Sequence, residues 1–285
     1  MKFFKATLLI ALILSITSTY TFAELNHMGK KKYLLEFKPK KGKTGQMDFV
    51  VDMDMNMNIN GTQTEMNMLI KMGAEMNVTE ANPNRTTTSF KYNYMAMGLT
   101  NQYFGTLSYD SRSDTSSAYA KAVHEKMKPL FESENYMTQD KHGELIDSKF
   151  AKELTENAGA GGTDMSAIMA SGTFPKTPIA IGKSWKSTVD NPASPMKIKT
   201  TYTLADVRDG KVYIDMVSKV STNKNHNGSQ NIKKASGTQT GQMVFDEKTM
   251  WFISGSLTQD LEMTVEQNGQ KIPADVNSEI TFSVE

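Results

Sequence analysis

Methionine is the residue type in this chain with the widest range of functional roles to consider. The sequence contains 21 methionines and no cysteine, and Met53, Met55 and Met57 alternate with polar residues. Thioethers can ligate copper(I), line an adaptable wall for a hydrophobic ligand or fill gaps in a core. Same-face neighbours on a strand lie about 7 Å apart, and no histidine lies near these methionines. The pattern favours a buried core first, a ligand-binding surface second and a copper site third.

Three aspartates alternate with these methionines. Asp48, Asp52 and Asp54 would share the opposite face of the same strand, where carboxylates could hold a hard cation. The segment has neither the central glycine nor the bidentate glutamate of a calcium loop. We therefore interpret the aspartates as a wet strand face that discourages edge pairing.

No other constellation indicates catalysis. A base or metal site needs convergent groups, but the four histidines are scattered along the chain: His27, His124, His142 and His226. Without cysteine, thiol catalysis and thiolate metal sites are excluded. The glycines at 159–162 follow no predicted strand, and the segment 182–184 lacks the upstream glycine of a phosphate-binding loop. We predict a non-enzymatic protein with no catalytic residue, no metal and no cofactor.

The N-terminus has the pattern of a secretory signal peptide at residues 1–23. Lys2 and Lys5 precede an apolar run over residues 6–16, and small residues at Thr21 and Ala23 predict cleavage before Glu24. The apolar run is too short for a permanent membrane helix, which needs about 20 residues. We expect export to the periplasm or the medium, with no transmembrane segment after processing. Because 32 basic residues balance 31 acidic ones, we expect no nucleic-acid partner.

A first β block, residues 24–112, is predicted from alternation of apolar and polar residues. Residues 46–59 alternate with a period of two, which indicates a long half-buried strand, and Asn60-Gly61 favours a two-residue hairpin turn. The alternation resumes through Val78, and further strands are predicted at 86–99 and 102–109. We predict that one side of the hairpin carries Met53, Met55, Met57, Met66, Met68, Ile70 and Met72.

Residues 113–175 do not continue the alternating β pattern, and their sequence predicts a helical insert. Residues 114–117 can cap a helix over 118–131, where Tyr119, Val123 and Met127 have helical spacing. A small hairpin is predicted at 136–146, and further helices at 148–157 and 163–169. Seven exposed methionine and isoleucine side chains would forfeit on the order of ten kcal/mol. We therefore expect the first helix to cover the methionine side of the long hairpin, with a second sheet as the alternative cover.

The second β block, residues 176–285, contains predicted strands at 185–189, 196–207, 211–220, 241–245, 251–264 and 279–284. Both blocks open with a glycine-lysine pair, followed by a long strand, a turn and another long strand. This shared order favours either a duplication or a generic meander that occurs twice. The predicted fold class is mainly β (α+β). Long antiparallel strands form one curved sheet or two related sheets, with the helical insert between the blocks.

Two short motifs carry a resemblance. The segment from Phe174 to Trp185, with its Pro-rich start and Gly-Lys-Ser-Trp end, resembles a signature of uncharacterised exported proteins of the Bacteroidota. The step Gly241-Gln-Met-Val-Phe-Asp246 is similar to one in their second β block. Lys183 stands where those proteins commonly have an acidic residue. The likeness covers about the last two thirds of the chain and implies an envelope protein of unknown function, with no functional residues to carry over.

Two functions lead at the level of sequence, and a hydrolase is third because it would need the scattered histidines and carboxylates to converge in one cleft. One is an envelope protein that binds a lipid, a lipidated peptide or another hydrophobic ligand in a groove. The other is a structural or adhesive module with a packed core that meets an envelope protein or a glycan. The groove of the first would be lined by Met53, Met55, Met57, Met66, Met68, Met72, Phe90, Tyr92 and Tyr94.

Overall fold

The computed structural model describes residues 31–59, 61–103, 105–113, 117–149, 174–189, 195–226, 232–267 and 269–285. The predicted signal peptide, the predicted helix at 163–169 and most of the predicted helix at 148–157 lie outside these residues. The first two residues of that second helix, Ser148 and Lys149, belong instead to a β-strand.

The protein is mainly β, as the sequence predicts. Among the described residues one helix, α1 (Ala118–Glu132), lies between two groups of strands. The first group is β1 (Lys32–Tyr33), β2 (Thr44–Ile59), β3 (Thr62–Asn82), β4 (Arg85–Asn101) and β5 (Gly105–Asp110). After α1 come β6 (Asn135–Asp140), β7 (Leu145–Lys149), β8 (Ile179–Ala180), β9 (Ser184–Val189), β10 (Met196–Arg208), β11 (Lys211–Thr222), β12 (Ile232–Asp246), β13 (Phe252–Gln267) and β14 (Gln270–Val284).

The long strands form one 12-stranded antiparallel sheet. Its order is β7-β6-β4-β3-β2-β14-β13-β12-β11-β10-β9, and β5 also pairs with β4. The two β blocks join where the last strand, β14, pairs with β2. Of the two architectures considered from the sequence, one continuous sheet is therefore correct. The domain boundaries and the duplication stay predictions.

The methionine hairpin has the predicted register. Met53 lies opposite Met68 and Met55 opposite Met66, so these side chains share one face. The strands connect between Ile59 and Thr62, where Gly61 has a φ of 84°. Its N–H donates to Asn58 Oδ1 at 2.9 Å. A positive φ explains why glycine follows Asn60 in the sequence.

The helix lies against the face that carries the methionines. Ser117 caps it by accepting a hydrogen bond from the Ala120 N–H at 3.0 Å. Its partly buried Tyr119, Val123 and Met127 pack on the main core cluster, which includes Met53 and Met55 of β2. The helix contacts β4 and β5. The predicted helix and its packing side are confirmed, although it covers the sheet at β4 and β5 rather than along the whole hairpin.

The sheet itself is strongly curved. Met137 of β6 and Met243 of β12 line one cavity, although six strand spacings separate β6 from β12 in the sheet order. In a flat sheet that separation is about 29 Å, since neighbouring strands lie about 4.8 Å apart. The sheet must bend until its distant strands face each other across the inner face. This bend encloses the candidate site.

Candidate functional site

An apolar cavity lies at one end of the inner face. Its empty volume is about 820 Å³ including its open mouth. Of the described residues that line it, all but Thr88, Gln139 and Gly143 are methionine, valine or aromatic. These apolar residues are Phe37, Met47, Phe49, Met76, Phe90, Met137, Phe174, Met243, Phe245, Met250, Trp251, Phe252, Phe282 and Val284.

Strand ends supply most of the wall. The beginning of β2 contributes Met47 and Phe49, the end of β14 contributes Phe282 and Val284, and the adjoining ends of β3, β4, β6, β12 and β13 supply most of the remainder. Antiparallel pairing of β14 with β2 places Val284 opposite Met47 and Phe282 opposite Phe49. The same alternation that predicts the strands therefore aims one side chain in two into the cavity.

A tight turn between β12 and β13 builds one corner. The Asp246 carboxylate accepts hydrogen bonds from the Thr249 hydroxyl at 2.6 Å and from the Thr249 N–H at 2.9 Å. These bonds lower the pKa of Asp246 below its ordinary value, and the bond from the Thr249 hydroxyl contributes most. Met250 takes a positive φ of 52°, and its N–H donates to the Asp246 carbonyl at 2.8 Å. The turn thereby presents Met250 and Trp251 to the cavity.

Two segments outside the long strands each contribute one ring to the lining, Phe37 from residues 34–41 and Phe174 from residues 174–178. The first segment is held by a hydrogen bond from the Phe37 N–H to the Lys141 carbonyl at 2.7 Å and one from the Lys38 N–H to the Thr249 carbonyl at 2.9 Å. Phe37 stacks on Trp251 with ring centroids 6.4 Å apart. From the other segment, the Phe174 N–H donates to the His142 carbonyl at 2.6 Å.

Aromatic rings form a continuous chain along one wall. Phe174 meets Phe245 edge to face at 5.4 Å, and Phe245 meets Phe252 edge to face at 5.6 Å. Phe252 then stacks on Phe282 at 4.8 Å. Rings in such contacts hold one another in place, so this wall is stiff. The methionines of the lining, with three rotatable bonds each, are the adaptable part.

The polar lining is small and confined to one corner. Thr88 of β4 lies opposite Met137 of β6, and Thr86 lies opposite Gln139, so Thr88 and Gln139 are diagonal neighbours. The Gln139 Nε2 donates to the Gly143 carbonyl at 3.1 Å, which fixes the side-chain amide. None of the described lining residues is Asp, Glu, Lys, Arg or His.

The residues predicted to line a groove are distributed differently. Phe90 is the one of them that lines the cavity. Met53, Met55 and Met72 are buried in the main core cluster, and Met57, Met66 and Met68 are partly buried against it. Residues that sequence reasoning missed include Met47, Met76, Met137, Met243 and Met250. Their shared signal is position: each lies near the end of a strand on the inner face or in an adjoining turn.

Tyr92 and Tyr94 lie on opposite faces of β4. The register shifts between Gly73 and Ala74, with Tyr92 opposite Ala74 and Tyr94 opposite Gly73. Such a β-bulge turns the following side chains to the other face. Tyr94 lies on the outer face, where its hydroxyl donates to Asp48 at 2.9 Å and Arg112 lies over its ring. The predicted inward placement of Tyr94 is therefore wrong, since strict alternation did not include the bulge.

Tyr92 is buried inside the sheet beside Phe90 and Met137. Its hydroxyl is buried and has no hydrogen-bond partner among the described residues. Burial raises the pKa of Tyr92 to about 12.

A row of buried polar side chains crosses the inner face at mid-height. Thr200 hydrogen-bonds Ser218 at 2.8 Å, and the Gln239 Nε2 donates to Gln259 Oε1 at 2.6 Å. The row ends at Ser278, whose buried Oγ has no partner among the described residues. Cross-strand registers place these five side chains side by side: Thr200, Ser218, Gln239, Gln259 and Ser278.

The other sequence candidates have ordinary surroundings. The side-chain amide of Asn67 donates to Asp54 on the outer face, and His124 of α1 hydrogen-bonds the Tyr109 hydroxyl at 3.1 Å. Within the described ranges, no cluster of three His, Asp or Glu side chains is arranged to hold a metal ion. No helix in that part of the chain is long and apolar enough to cross a membrane.

Comparisons with known proteins give a partial family match. A family of unknown function, DUF6263, matches residues 147–252, less than half of the chain. That stretch includes the cavity residues Phe174, Met243, Phe245, Met250 and Trp251. A search of curated proteins finds no match.

The likeness to one solved structure is strong enough to show a shared fold. A structure of lipid–protein interactions in lipovitellin is 9% identical, covers 86% of this chain and has a TM-score of 0.54. The match spans 25% of the lipovitellin chain, so this protein corresponds to about a quarter of it.

Two further structures are less similar. An outer membrane lipoprotein-sorting protein domain from Vibrio parahaemolyticus is 8% identical, with 82% of this chain and 85% of that chain covered and a TM-score of 0.18. A DUF1329 family protein from Desulfovibrio piger is also 8% identical, with 83% of each chain covered and a TM-score of 0.15. Neither score supports an inference about fold or function.

Proposed function

We propose that this protein binds a hydrophobic small molecule in the cavity at the end of its curved sheet. The observation that carries the proposal is the lining itself, an apolar wall of methionine and aromatic side chains around a cavity that opens to solvent. Ligand sites are typically concave and mainly apolar, with a few placed polar groups. The corner formed by Thr88 and Gln139 supplies such groups.

The energetics support reversible binding. Each methylene group that moves from water into an apolar site contributes about 0.8 kcal/mol. A chain of several methylenes therefore gains enough to offset the entropy lost on association. The methionine side chains of the wall can repack around ligands of different shape, while the aromatic wall keeps the site open. These two properties together suit the reversible binding of apolar ligands.

The setting of this activity is also part of the proposal. The predicted signal peptide supports an exported protein that works in the periplasm or the medium. A lipovitellin structure with the same fold concerns lipid–protein interactions in that protein, and the fold is therefore compatible with a lipid-like ligand here. An envelope protein that delivers or receives the ligand is the partner that such a role implies.

Binding of a fluorescent probe, measured for the wild type and for a variant whose cavity is filled, tests the proposal. N-phenylnaphthylamine, an uncharged apolar probe, should bind the mature protein with increased emission. Val284→Trp places a large ring in the cavity and should weaken probe affinity at least about fivefold. Ser283→Trp is the matched control, because Ser283 neighbours Val284 in the strand and points to the opposite face; it should leave probe affinity unchanged.

A second measurement is direct. Organic extraction of protein purified from its own host, followed by mass spectrometry, should release an apolar molecule that the Val284→Trp variant lacks. If the folded wild type binds no probe and releases no such molecule, the proposal is wrong. The alternative of a structural or adhesive module would then be favoured.

A further inference from the structure

The cavity has one polar corner, formed by Thr88 and Gln139. This inference rests on the proposed function and concerns its specificity. Thr88 and Gln139 are 2% and 7% exposed, so both side chains are nearly withdrawn from solvent. Both line the cavity, whereas their neighbour Thr86, which is equally buried on the same face, does not.

The hydrogen-bonding capacity of this corner is only partly used within the protein. A glutamine side-chain amide can donate two hydrogen bonds and accept through its carbonyl oxygen. The bond from Gln139 Nε2 to the Gly143 carbonyl uses one donor and holds the group at the cavity wall. A ligand hydroxyl, amide or ester at this corner would meet a hydroxyl and an oriented amide, both uncharged.

The described lining contains no charged side chain that could pair with an ionic ligand. Lys38 and Lys141 both form ion pairs with Glu36, at 3.6 Å and 3.5 Å. Lys176 pairs with Glu144 at 3.2 Å. These three lysines share two carboxylates, Glu36 and Glu144, and none of these charged groups lines the cavity. An ionised ligand carboxylate drawn into the apolar cavity would lose its water without gaining a charged partner, which is strongly unfavourable.

We propose that the cavity selects an uncharged amphipathic molecule, an apolar chain with one hydroxyl, amide or ester group, and binds that group at Thr88 and Gln139. Fatty-acid anions and cationic lipids are disfavoured by the same corner. The apolar wall supplies affinity for the chain, and the two polar side chains supply discrimination among head groups.

A series of ligands with one common chain separates these contributions. Decanol, chlorodecane, decanoate and decyltrimethylammonium are compared at neutral pH as competitors of N-phenylnaphthylamine. Decanol should bind tightest, at least about tenfold more tightly than decanoate. Thr88→Val preserves the shape of the side chain and removes its hydroxyl. It should lower the affinity for decanol about three- to tenfold, the usual effect of losing one hydrogen bond. Chlorodecane affinity should not change in this variant.

Matched variants keep the test independent of folding. Gln139→Met should weaken decanol in the same way, and thermal unfolding followed by circular dichroism reports whether the variant is folded. Thr86→Val is the control, because Thr86 is buried on the same face outside the cavity; all four affinities should stay at the wild-type value.

The outcomes separate the two proposals. If decanoate binds as tightly as decanol, or if Thr88→Val leaves decanol unaffected, the head-group inference is wrong while the hydrophobic site stands. If decanol and chlorodecane bind equally in the wild type, the polar corner has no part in binding and the inference is again overturned. If neither the probe nor any competitor binds the folded protein, both proposals are wrong.

Discussion

Replacing Tyr92 by phenylalanine should stabilise the protein, although it removes a hydrogen-bonding group. Tyr92 is 2% exposed, and its hydroxyl has no partner among the described residues. A buried polar group without a partner costs about 1–3 kcal/mol. Tyr92→Phe keeps the ring in place between Phe90 and its neighbours and removes that cost. We expect the free energy of unfolding at pH 7 to rise by about 1 kcal/mol.

The same residue makes stability depend on alkaline pH. Its pKa is about 12 in the folded protein against an ordinary value of 10.0, so the folded state retains the proton that the unfolded chain loses. The stability linked to this proton is fully present below pH 10 and is lost as the pH rises through 12. The difference between the two pKa values corresponds to roughly 3 kcal/mol. Tyr92→Phe should remove this part of the alkaline decline.

Urea unfolding followed by circular dichroism at pH 7 and between pH 10 and 12 provides the measurement. Tyr94→Phe is the control, since its partly buried hydroxyl on the outer face has a partner, Asp48; it should lower stability by about 1 kcal/mol. A Tyr92→Phe variant that is less stable than wild type at pH 7 would show that the hydroxyl has a bonding partner. The reasoning about the buried hydroxyl would then be refuted.

Three further predictions concern the polar row, the β12–β13 turn and the N-terminus. Ser278→Ala removes another buried hydroxyl that has no partner among the described residues, so the free energy of unfolding should stay the same or rise. Gln259→Leu removes the acceptor of the Gln239 hydrogen bond and should lower the free energy of unfolding in urea by about 1–3 kcal/mol. Asp246→Ala removes the bonds that order its turn and should lower stability by about 1–2 kcal/mol at pH 7. Because the pKa of Asp246 is lowered in the folded state, this difference should shrink as the pH falls through that pKa; a loss that is constant with pH would contradict the assignment. N-terminal sequencing of the exported protein should begin at Glu24, and an intact Met1 on that protein would refute the predicted cleavage.

Local pattern determined how much of the fold was predictable. The alternation at residues 46–59 and the following Asn60-Gly61 were enough to predict the β2–β3 hairpin and its register, because a shift of one residue would expose every methionine. The bulge opposite Gly73 was not predictable in this way. A methyl group on Gly73 would collide with the Tyr94 ring, and this close contact exists only once β3 and β4 are paired.

The site was less predictable than the fold because it depends on curvature. Met137 and Met243 lie far apart in the sequence and six strands apart in the sheet, and nothing in either segment alone indicates that they meet. The sequence did contain the signal for apolar inner residues near the strand ends. It did not contain the bend that brings those ends together, because bending is a property of the whole sheet.

Methionines on one face of β2 have different surroundings. Met53 and Met55 sit in the middle of β2 and are buried in the main core, where an unbranched side chain fills irregular gaps among Val, Leu and Ile. Met47 begins the same face of the same strand and lines the cavity. Alternation directs all three methionine side chains to the inner face. Their position along the strand then determines whether they pack against core side chains or line the cavity. A residue type and its period therefore predict the face, while the cavity follows from where that face ends.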